Sequence, residues 1–199
     1  MTKTKMIFTA LFIALSSLAN GQSIFILDEE GTKIHVDGSS NVSDWQLDVL
    51  EFQGELQVND SVPLELGSKF ISKLTFSAPA DKMTGGRGPI MDKKVQNALK
   101  FEQYPQVNYA AISNEVTEAN GNEVTMVFHG ILKMAGEEKN VDVNVKAQLS
   151  NDGKTLKMQG SKPLKLSAFN IERPTAFFGQ LSTDDDITIQ LDLTFIKQS

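Results

Sequence analysis

The sequence contains no cysteine and only two histidines, and these absences exclude several kinds of chemistry. Without cysteine the chain can form no disulfide and can offer no thiolate to a metal or to a redox reaction. His35 and His129 each lie among residues of outward parity on predicted strands, and no second nearby histidine completes a metal site. We interpret both as surface side chains, and we predict no metal site.

Catalytic and phosphate-binding motifs are also missing. No G-x-S-x-G nucleophile elbow occurs among the many serines. Residues 85–88 are rich in glycine but lack the Lys-Ser/Thr pair of a phosphate-binding loop. The acidic run at residues 184–186 lacks the spaced ligands and the internal glycine of a calcium loop, which favours a solvated turn. We therefore predict that the protein is not an enzyme and has no catalytic residue.

Long apolar runs are absent except near the N-terminus. Residues 6–15 form an apolar run that is too short to span a bilayer; Lys3 and Lys5 precede it, and small residues follow it. This order is typical of a secretory signal peptide. We predict a signal peptide over residues 1–21, a single domain over residues 22–199, and a periplasmic or secreted protein. An uncleaved N-terminal membrane anchor is the alternative.

Positive charge is scarce in the predicted mature chain. Removal of Lys3 and Lys5 leaves 17 of the 19 Lys and Arg residues against 25 Asp and Glu residues, a net charge of −8. Such a charge opposes binding to nucleic acid and to anionic membrane surfaces. We expect no nucleic-acid partner and no stable membrane insertion, and we expect a monomer or a homodimer.

Alternation of apolar and polar residues dominates the rest of the chain. This two-residue period is typical of half-buried strands, and short turns with Asn-Gly or Asp-Gly join several of the segments. The pattern predicts an all-β fold, an antiparallel eight-stranded barrel with one long irregular loop at residues 167–186. The eight segments are residues 32–40, 44–58, 69–78, 106–116, 124–134, 141–149, 156–166 and 187–196.

The second segment changes its apolar parity part-way along. Trp45, Leu47 and Val49 share one parity, and Leu50 and Phe52 share the other. A change of face within one strand predicts a bulge or a sharp bend near residues 49–50.

One stretch has helical spacing instead. Val95, Ala98 and Leu99 fall on one face of a helix, and Asp92 suits its N-cap or first turn. Pro105 ends the helix or stabilises the turn that follows it. We predict one short inserted helix that buries its apolar face against the mouth or flank of the barrel as a lid or plug.

The polar strand faces distinguish a water-soluble barrel from an outer-membrane barrel. Asp142 and Lys146 lie on the polar face of the clearest strand, and a lysine at the bilayer midplane costs ~2–4 kcal/mol. One tryptophan and two tyrosines are too few for two aromatic girdles. We expect the apolar faces inside the barrel and the charged faces in water.

An apolar barrel interior has two interpretations. It is either a core filled by its own side chains or a cavity lined for an apolar ligand, since eight strands enclose space for about one ligand. At ~0.8 kcal/mol per methylene, a five-carbon isoprene unit contributes a gross ~4 kcal/mol, so three or four units can exceed an association cost of ~4–15 kcal/mol.

Several blocks of the sequence resemble the YceI-like family. The first block contains Met91-Asp92, Ala98-Leu99 and Tyr104-Pro105. The other blocks are residues 130–136 with 139–145, residues 164–174 with 187–195, and a Gly-Ser-Ser-Asn step at residues 38–41 before Asp44-Trp45. The resemblance extends over residues 32–197.

This resemblance implies a lipocalin-like antiparallel barrel that binds a polyisoprenoid or a similar amphiphile in its bore. Members of the family are mostly exported, and a role in isoprenoid-quinone transport or storage follows by resemblance. The family offers no agreed catalytic motif, so no catalytic residue is carried over. No cofactor is expected apart from a bound polyisoprenoid or quinone-like lipid.

We predict that the protein is an exported lipid-binding protein that holds an isoprenoid-like amphiphile for transport or storage. The alternatives are a barrel enzyme acting on a lipid and a cell-envelope interaction protein with a filled core. Arg87 and Arg173 are candidates for contact with a polar head group, with solvated arginines as the alternative. The predicted ligand-binding residues are Trp45, Phe76, Met91, Leu99, Met126, Phe128, Val143, Val145, Met158, Leu166, Phe169, Phe177, Phe178, Ile189 and Leu191.

Overall fold

A computed structural model describes residues 21–176 and 180–198. Its regular elements are mostly strands, and one α-helix lies between the sixth and the seventh strand along the chain. The elements are β1 (Gln22–Leu27), β2 (Lys33–Ser40), β3 (Asp44–Val49), β4 (Gln53–Asn59), β5 (Ile71–Pro79), β6 (Met83–Thr84), α1 (Pro89–Ala98), β7 (Gln106–Asn120), β8 (Glu123–Met134), β9 (Glu137–Leu149), β10 (Thr155–Lys165), β11 (Thr175–Ala176) and β12 (Leu181–Lys197).

The strands close into an antiparallel eight-stranded barrel, which confirms the predicted fold class. Around the ring the order is β1-β4-β5-β7-β8-β9-β10-β12, and β12 pairs with β1 to close it. Strands β2, β3 and β6 extend the wall at one end, because β1 and β2 pair in succession along β12. At that end β3 pairs with β2 and β6 pairs with β3, just as β4 pairs with β1 and β5 pairs with β4 in the ring.

The predicted bend in the second segment is confirmed and separates β3 from β4. Val49 is buried, the next two residues are exposed, and Phe52 is buried again, so the inward positions change from odd to even numbers across the break. Leu50, predicted to share the face of Phe52, faces outward instead. The Leu50 N–H donates to the carbonyl of Lys82 at the break. The bend lets one long strand pair with β1 at one end of the barrel and with β2 at the other.

The inserted helix is also confirmed. Helix α1 begins at Pro89, which suits the first helical position because its missing N–H needs no partner there. Asp92 lies in the first turn, and its carboxylate accepts a hydrogen bond of 2.8 Å from the Thr84 hydroxyl. This bond ties the helix to β6.

Two segments differ from the sequence-based prediction. Residues 22–27 form a strand, β1, that was not among the eight predicted segments, and its Phe25 and Leu27 are buried. The last strand begins at Leu181 instead of residue 187, so the predicted irregular loop is shorter. The acidic run remains in the strand because each carboxylate has a tertiary partner: Ser39 for Asp184, Ser167 for Asp185, and Lys165 for Asp186.

The interior of the barrel is packed at the end formed by β1 and β4. Six large side chains there are each less than 2% exposed: Leu56, Val116, Met126, Phe128, Met158 and Phe195. The opposite end, beside α1, contains a cavity. No helix within residues 21–176 and 180–198 is long and apolar enough to cross a membrane.

Candidate functional site

A cavity of about 390 Å³ lies at the end of the barrel covered by α1. Its wall consists of alternate residues of the surrounding strands, since every second side chain of a strand points inward. Most of these side chains are apolar, and they include Ile34, Val36, Leu47, Val49, Phe76, Ala78, Met83, Val107, Met134, Ile187 and Ile189. The volume is within the usual range for a small-molecule site, ~300–1,000 Å³.

Trp45, the sole tryptophan of the chain, forms part of this wall. It is paired with Gly38 on the neighbouring strand, and its ring occupies the space where any side chain at position 38 would lie. The indole N–H donates to the carbonyl of Ser39 at 2.9 Å. These contacts hold the ring in one orientation beside the cavity.

Helix α1 covers the cavity as the predicted lid. Val95, Ala98 and Leu99, the three residues predicted to share its apolar face, all line the cavity. The ammonium group of Lys94 donates to the carbonyl of Thr175 at 3.1 Å, which connects the helix to the segment before β12.

A short 3₁₀ helix at Leu166–Phe169, here called the rim turn, borders the cavity on another side. Leu166 lines the cavity, as does Ile171 just after the turn. Asp185 accepts hydrogen bonds from the Ser167 hydroxyl at 2.7 Å and from its N–H at 2.8 Å. These bonds hold the pKa of the Asp185 carboxyl below its ordinary value and attach the rim turn to β12.

The polar groups of the cavity are of two kinds. Hydroxyl or amide side chains are contributed by Ser40, Ser43, Gln46, Thr175 and Thr183. The charged lining residues are both cationic, Arg87 and Lys94, and no carboxylate belongs to the lining described by residues 21–176 and 180–198.

The arginine Arg87, predicted as a head-group contact, therefore lies at the cavity. Arg173 lies on an exposed segment outside the lining, where its charge contributes to the lowered pKa of Asp185. The structure thus separates the two arginines and instead places Lys94 in the lining with Arg87.

Of the predicted ligand-binding residues that the structure describes, six line the cavity and seven do not. The lining residues are Trp45, Phe76, Met91, Leu99, Leu166 and Ile189. Seven belong to the packed interior or lie against it, outside the lining: Met126, Phe128, Val143, Val145, Met158, Phe169 and Leu191. Phe177 and Phe178 lie outside the described residues.

The difference arises because inward parity is shared by packed and hollow parts of one strand. On β12, for example, Ile187 and Ile189 line the cavity, whereas Phe195 is packed at the other end. Val36 and Leu47 lie on alternating apolar faces of β2 and β3 and line the cavity, but they were not among the predicted ligand-binding residues. Met83 and Ile171 carried no such signal, because Met83 lies in a two-residue strand and Ile171 in a connection.

The two histidines lie outside the cavity lining. The Nδ1 atom of His129 lies 2.8 Å from Asp142 on the outer face, and Nε2 of His35 lies 3.8 Å from Asp37. In the part of the chain that the structure describes, no cluster of three His, Asp or Glu side chains could hold a metal ion.

A family model described as the YceI-like domain matches residues 25–195 of this sequence. The chain belongs to the YceI-like family. The match begins within β1, ends within β12, and includes α1 and the rim turn. The resemblance noted from the sequence blocks is thereby confirmed.

Solved structures share the fold of this YceI-like domain at low sequence identity. BcnA of Burkholderia cenocepacia has a TM-score of 0.65 and 17% identity, and the match covers 84% of this chain and 98% of BcnA. A polyisoprenoid-binding domain from Saccharophagus degradans, implicated in plant cell wall breakdown, has a TM-score of 0.65 and 10% identity over 89% of this chain and 99% of that domain.

The Campylobacter jejuni YceI protein has a TM-score of 0.55 and 14% identity, and the match covers 77% of this chain and 84% of that protein. No curated protein matches the chain by sequence. At these identities the similarities show the fold of the YceI-like domain.

Proposed function

We propose that this protein binds an isoprenoid-like amphiphile in the cavity beneath α1 and that it is exported to transport or store that lipid. The observation that carries the proposal is the apolar cavity of about 390 Å³ in a YceI-like barrel. The polyisoprenoid binding of the Saccharophagus degradans domain, which shares the fold, supports the same class of ligand.

The energetics of burial support a lipid ligand. An apolar wall offers no strong directional bond, so affinity must come from the transfer of carbon out of water. At ~0.8 kcal/mol per methylene, a buried tail of three isoprene units contributes a gross ~12 kcal/mol. This exceeds much of the ~4–15 kcal/mol range for the cost of association.

The composition of the lining favours binding over catalysis. An enzyme acting on a lipid needs an acid and a base that face the reacting atoms. The lining residues described by the structure include Arg87 and Lys94 but no carboxylate and no imidazole. Because both charged groups are cationic, they suit the attraction of an electron-rich head group and do not form an acid–base pair.

Export is inferred from the predicted signal peptide at residues 1–21. Fractionation of the native organism, followed by sequencing of the protein's N-terminus, tests this part. We expect a mature protein that starts near Gln22 outside the cytoplasm. A protein found in the cytoplasm with its first residues intact would contradict export without affecting lipid binding.

Lipid binding is tested by filling the cavity from one side. Ala98 lines the cavity and Asn97, its neighbour on α1, is exposed, so Ala98→Phe and Asn97→Phe form a matched pair. Titration with farnesyl monophosphate is monitored by fluorescence of Trp45, which lies in the wall. We expect binding by the wild-type protein and by Asn97→Phe, and an affinity at least about tenfold lower for Ala98→Phe.

Solvent extraction of the native protein followed by mass spectrometry supplies an independent test. A co-purifying prenyl lipid is the expected result. Equal titration curves for both variants, or no binding by the wild-type protein, would overturn the proposed site.

A further inference from the structure

The cavity occupies only one half of the barrel. On three neighbouring wall strands, one inward residue lines the cavity and the next inward residue does not. Phe76 lines it but Leu74 does not, and the same holds for Val107 and Tyr109 and for Met134 and Leu132. In the strand register the lining ends at Val107 on β7 and at Met134 on β8, and it reaches one inward pair further on β5, where Phe76 is the partner of Tyr109.

Beyond the cavity the barrel contains a group of completely buried side chains. Leu56, Val116, Met126, Phe128, Met158 and Phe195 are all less than 2% exposed. A side chain bordering a space large enough for a water molecule would keep accessible surface. These six side chains are therefore in contact with protein on all sides and leave no room for a ligand tail beside them unless they move.

Tyr109 lies at the boundary between the two halves. It pairs with the buried Leu132 and so shares the inward face, and its ring lies over Gly130. A Cβ atom at Gly130 would lie 2.5 Å from Cζ and from the hydroxyl oxygen of Tyr109. The Tyr109 hydroxyl lies 3.3 Å from the carbonyl oxygen of Phe128 and 3.2 Å from that of Val141, and it can donate a hydrogen bond to either.

These contacts hold the Tyr109 ring across β8, just below the end of the cavity. The absence of a side chain at Gly130 is what allows the ring to cross, an arrangement in which an aromatic residue covers a glycine on the adjacent strand. Burial raises the pKa of the Tyr109 hydroxyl, so the group stays neutral and can keep donating a hydrogen bond.

We infer that the cavity sets an upper limit on tail length, that its ligand is an amphiphile with a single apolar tail of about 15 carbon atoms, and that Tyr109 is the length-determining residue. An apolar cavity of about 150 Å³ accommodates the six carbons of benzene in another protein, so about 390 Å³ corresponds to about 15 carbons, or three isoprene units. The inference rests on the proposed function, and it adds the chain length.

A series of prenyl monophosphates that differ only in length tests the limit. Geranyl, farnesyl and geranylgeranyl monophosphate carry ten, fifteen and twenty carbons, and each is titrated below its aggregation concentration with Trp45 fluorescence as the signal. From geranyl to farnesyl we expect affinity to rise at least about thirtyfold, because five more carbons leave water. From farnesyl to geranylgeranyl we expect a rise below about threefold, because the fourth unit stays at the mouth.

Removal of the Tyr109 ring should move the limit. In Tyr109→Ala the space of one ring becomes continuous with the cavity, so geranylgeranyl monophosphate should gain at least about tenfold over farnesyl monophosphate. Phe195→Leu is the control, since Phe195 belongs to the packed half and leaves the boundary intact. Circular dichroism and thermal unfolding verify that each variant is folded, and Tyr109→Leu serves as a milder replacement.

The outcomes separate this inference from the proposed function. If the affinity of the wild-type protein rises equally from geranyl to farnesyl and from farnesyl to geranylgeranyl monophosphate, the length limit would be overturned while lipid binding stands. If affinity still stops rising at fifteen carbons in folded Tyr109→Ala and Tyr109→Leu, the role of Tyr109 would be overturned. Failure of all three probes to bind would overturn the proposed function itself.

Discussion

Arg87 and Lys94 carry the charge of an otherwise apolar site. Arg87 follows the two glycines at residues 85 and 86, and Lys94 lies on α1, so the guanidinium and ammonium groups reach the lining from different elements. An anionic or electron-rich head group at the mouth would be attracted by both groups while the tail occupies the apolar wall. The attraction should be modest, because exposed charges are screened by salt.

We predict that Arg87→Gln combined with Lys94→Gln lowers affinity for farnesyl monophosphate about tenfold, the effect expected when one or two favourable charge contacts are lost. Affinity for farnesol, which has the same tail and no charge, should change less than about twofold. Trp45 fluorescence at low and at high salt measures both. Lys93→Gln is the matched control, since Lys93 is exposed on the same helix and pairs with Glu102. An equal loss for farnesol would contradict the charge argument.

Gly38 and Gly130 show how single residues shape the barrel interior. Each lies beneath an aromatic ring of the adjacent strand, Trp45 in one case and Tyr109 in the other. A side chain at either glycine would collide with that ring. The glycines thus fix the positions of one ring in the cavity wall and of another below its end.

At the scale of elements, α1 and the rim turn both border the cavity, and neither is a strand. Helix α1 is attached through Asp92 to Thr84 and through Lys94 to Thr175. The rim turn is attached to β12 through Asp185. Because a few polar contacts hold them, both are better placed than the hydrogen-bonded strands to move when a ligand enters.

We predict that Asp185→Ala increases the dissociation rate of farnesyl monophosphate by about threefold to tenfold, because the rim turn loses two hydrogen bonds. Asp152→Ala is the control: Asp152 accepts hydrogen bonds from Ser150 and Lys154 in the β9–β10 hairpin, away from the cavity lining. Stopped-flow Trp45 fluorescence measures the rates. If both variants release the lipid equally fast, the rim turn does not control exit.

At the scale of the whole molecule, carboxylates with lowered pKa values are distributed around the barrel. Hydrogen bonds from Gln46 and Gln190 lower the pKa of Asp37, and Lys73 lowers that of Glu55. The pKa of Asp152 is lowered by Ser150, and that of Asp185 by Ser167. In the folded state these groups release their protons more readily than in the unfolded state, so their stabilisation is present above the unfolded values of 3.8 and 4.5 and is lost as pH falls.

We predict a melting temperature that is nearly constant between about pH 5 and pH 9 and falls below about pH 4.5. Lys82 and Lys165 have raised pKa values through Glu51 and Asp186, so their contribution is lost only above the unfolded value of 10.5. Thermal unfolding at a series of pH values measures the melting temperature. Added salt should make its fall at acidic pH smaller, because the carboxylates are exposed. A melting temperature that stays constant down to about pH 3 would contradict this role of the carboxylates.

Much of the barrel was predictable from residues close together in the chain. Alternation at residues 141–149 identifies β9, the parity change after Val49 identifies the break between β3 and β4, and helical spacing at Val95, Ala98 and Leu99 identifies the lid. Strand β1 was missed because it directly follows the apolar segment interpreted as a signal peptide. The start of β12 was missed because three consecutive aspartates suggest a turn when their partners on other elements are unknown.

Local pattern was sufficient for the fold class, the lid helix and the family, because inward parity and helical periodicity depend on neighbouring residues. It could not divide the interior into packed and hollow halves. Met126, Phe128 and Met158 face the barrel interior, as Ile34 and Ile189 do. The first three are packed at one end, whereas Ile34 and Ile189 line the cavity. That division depends on which side chains from distant strands meet at each depth, as Tyr109 and Gly130 do, and only the closed barrel brings them together.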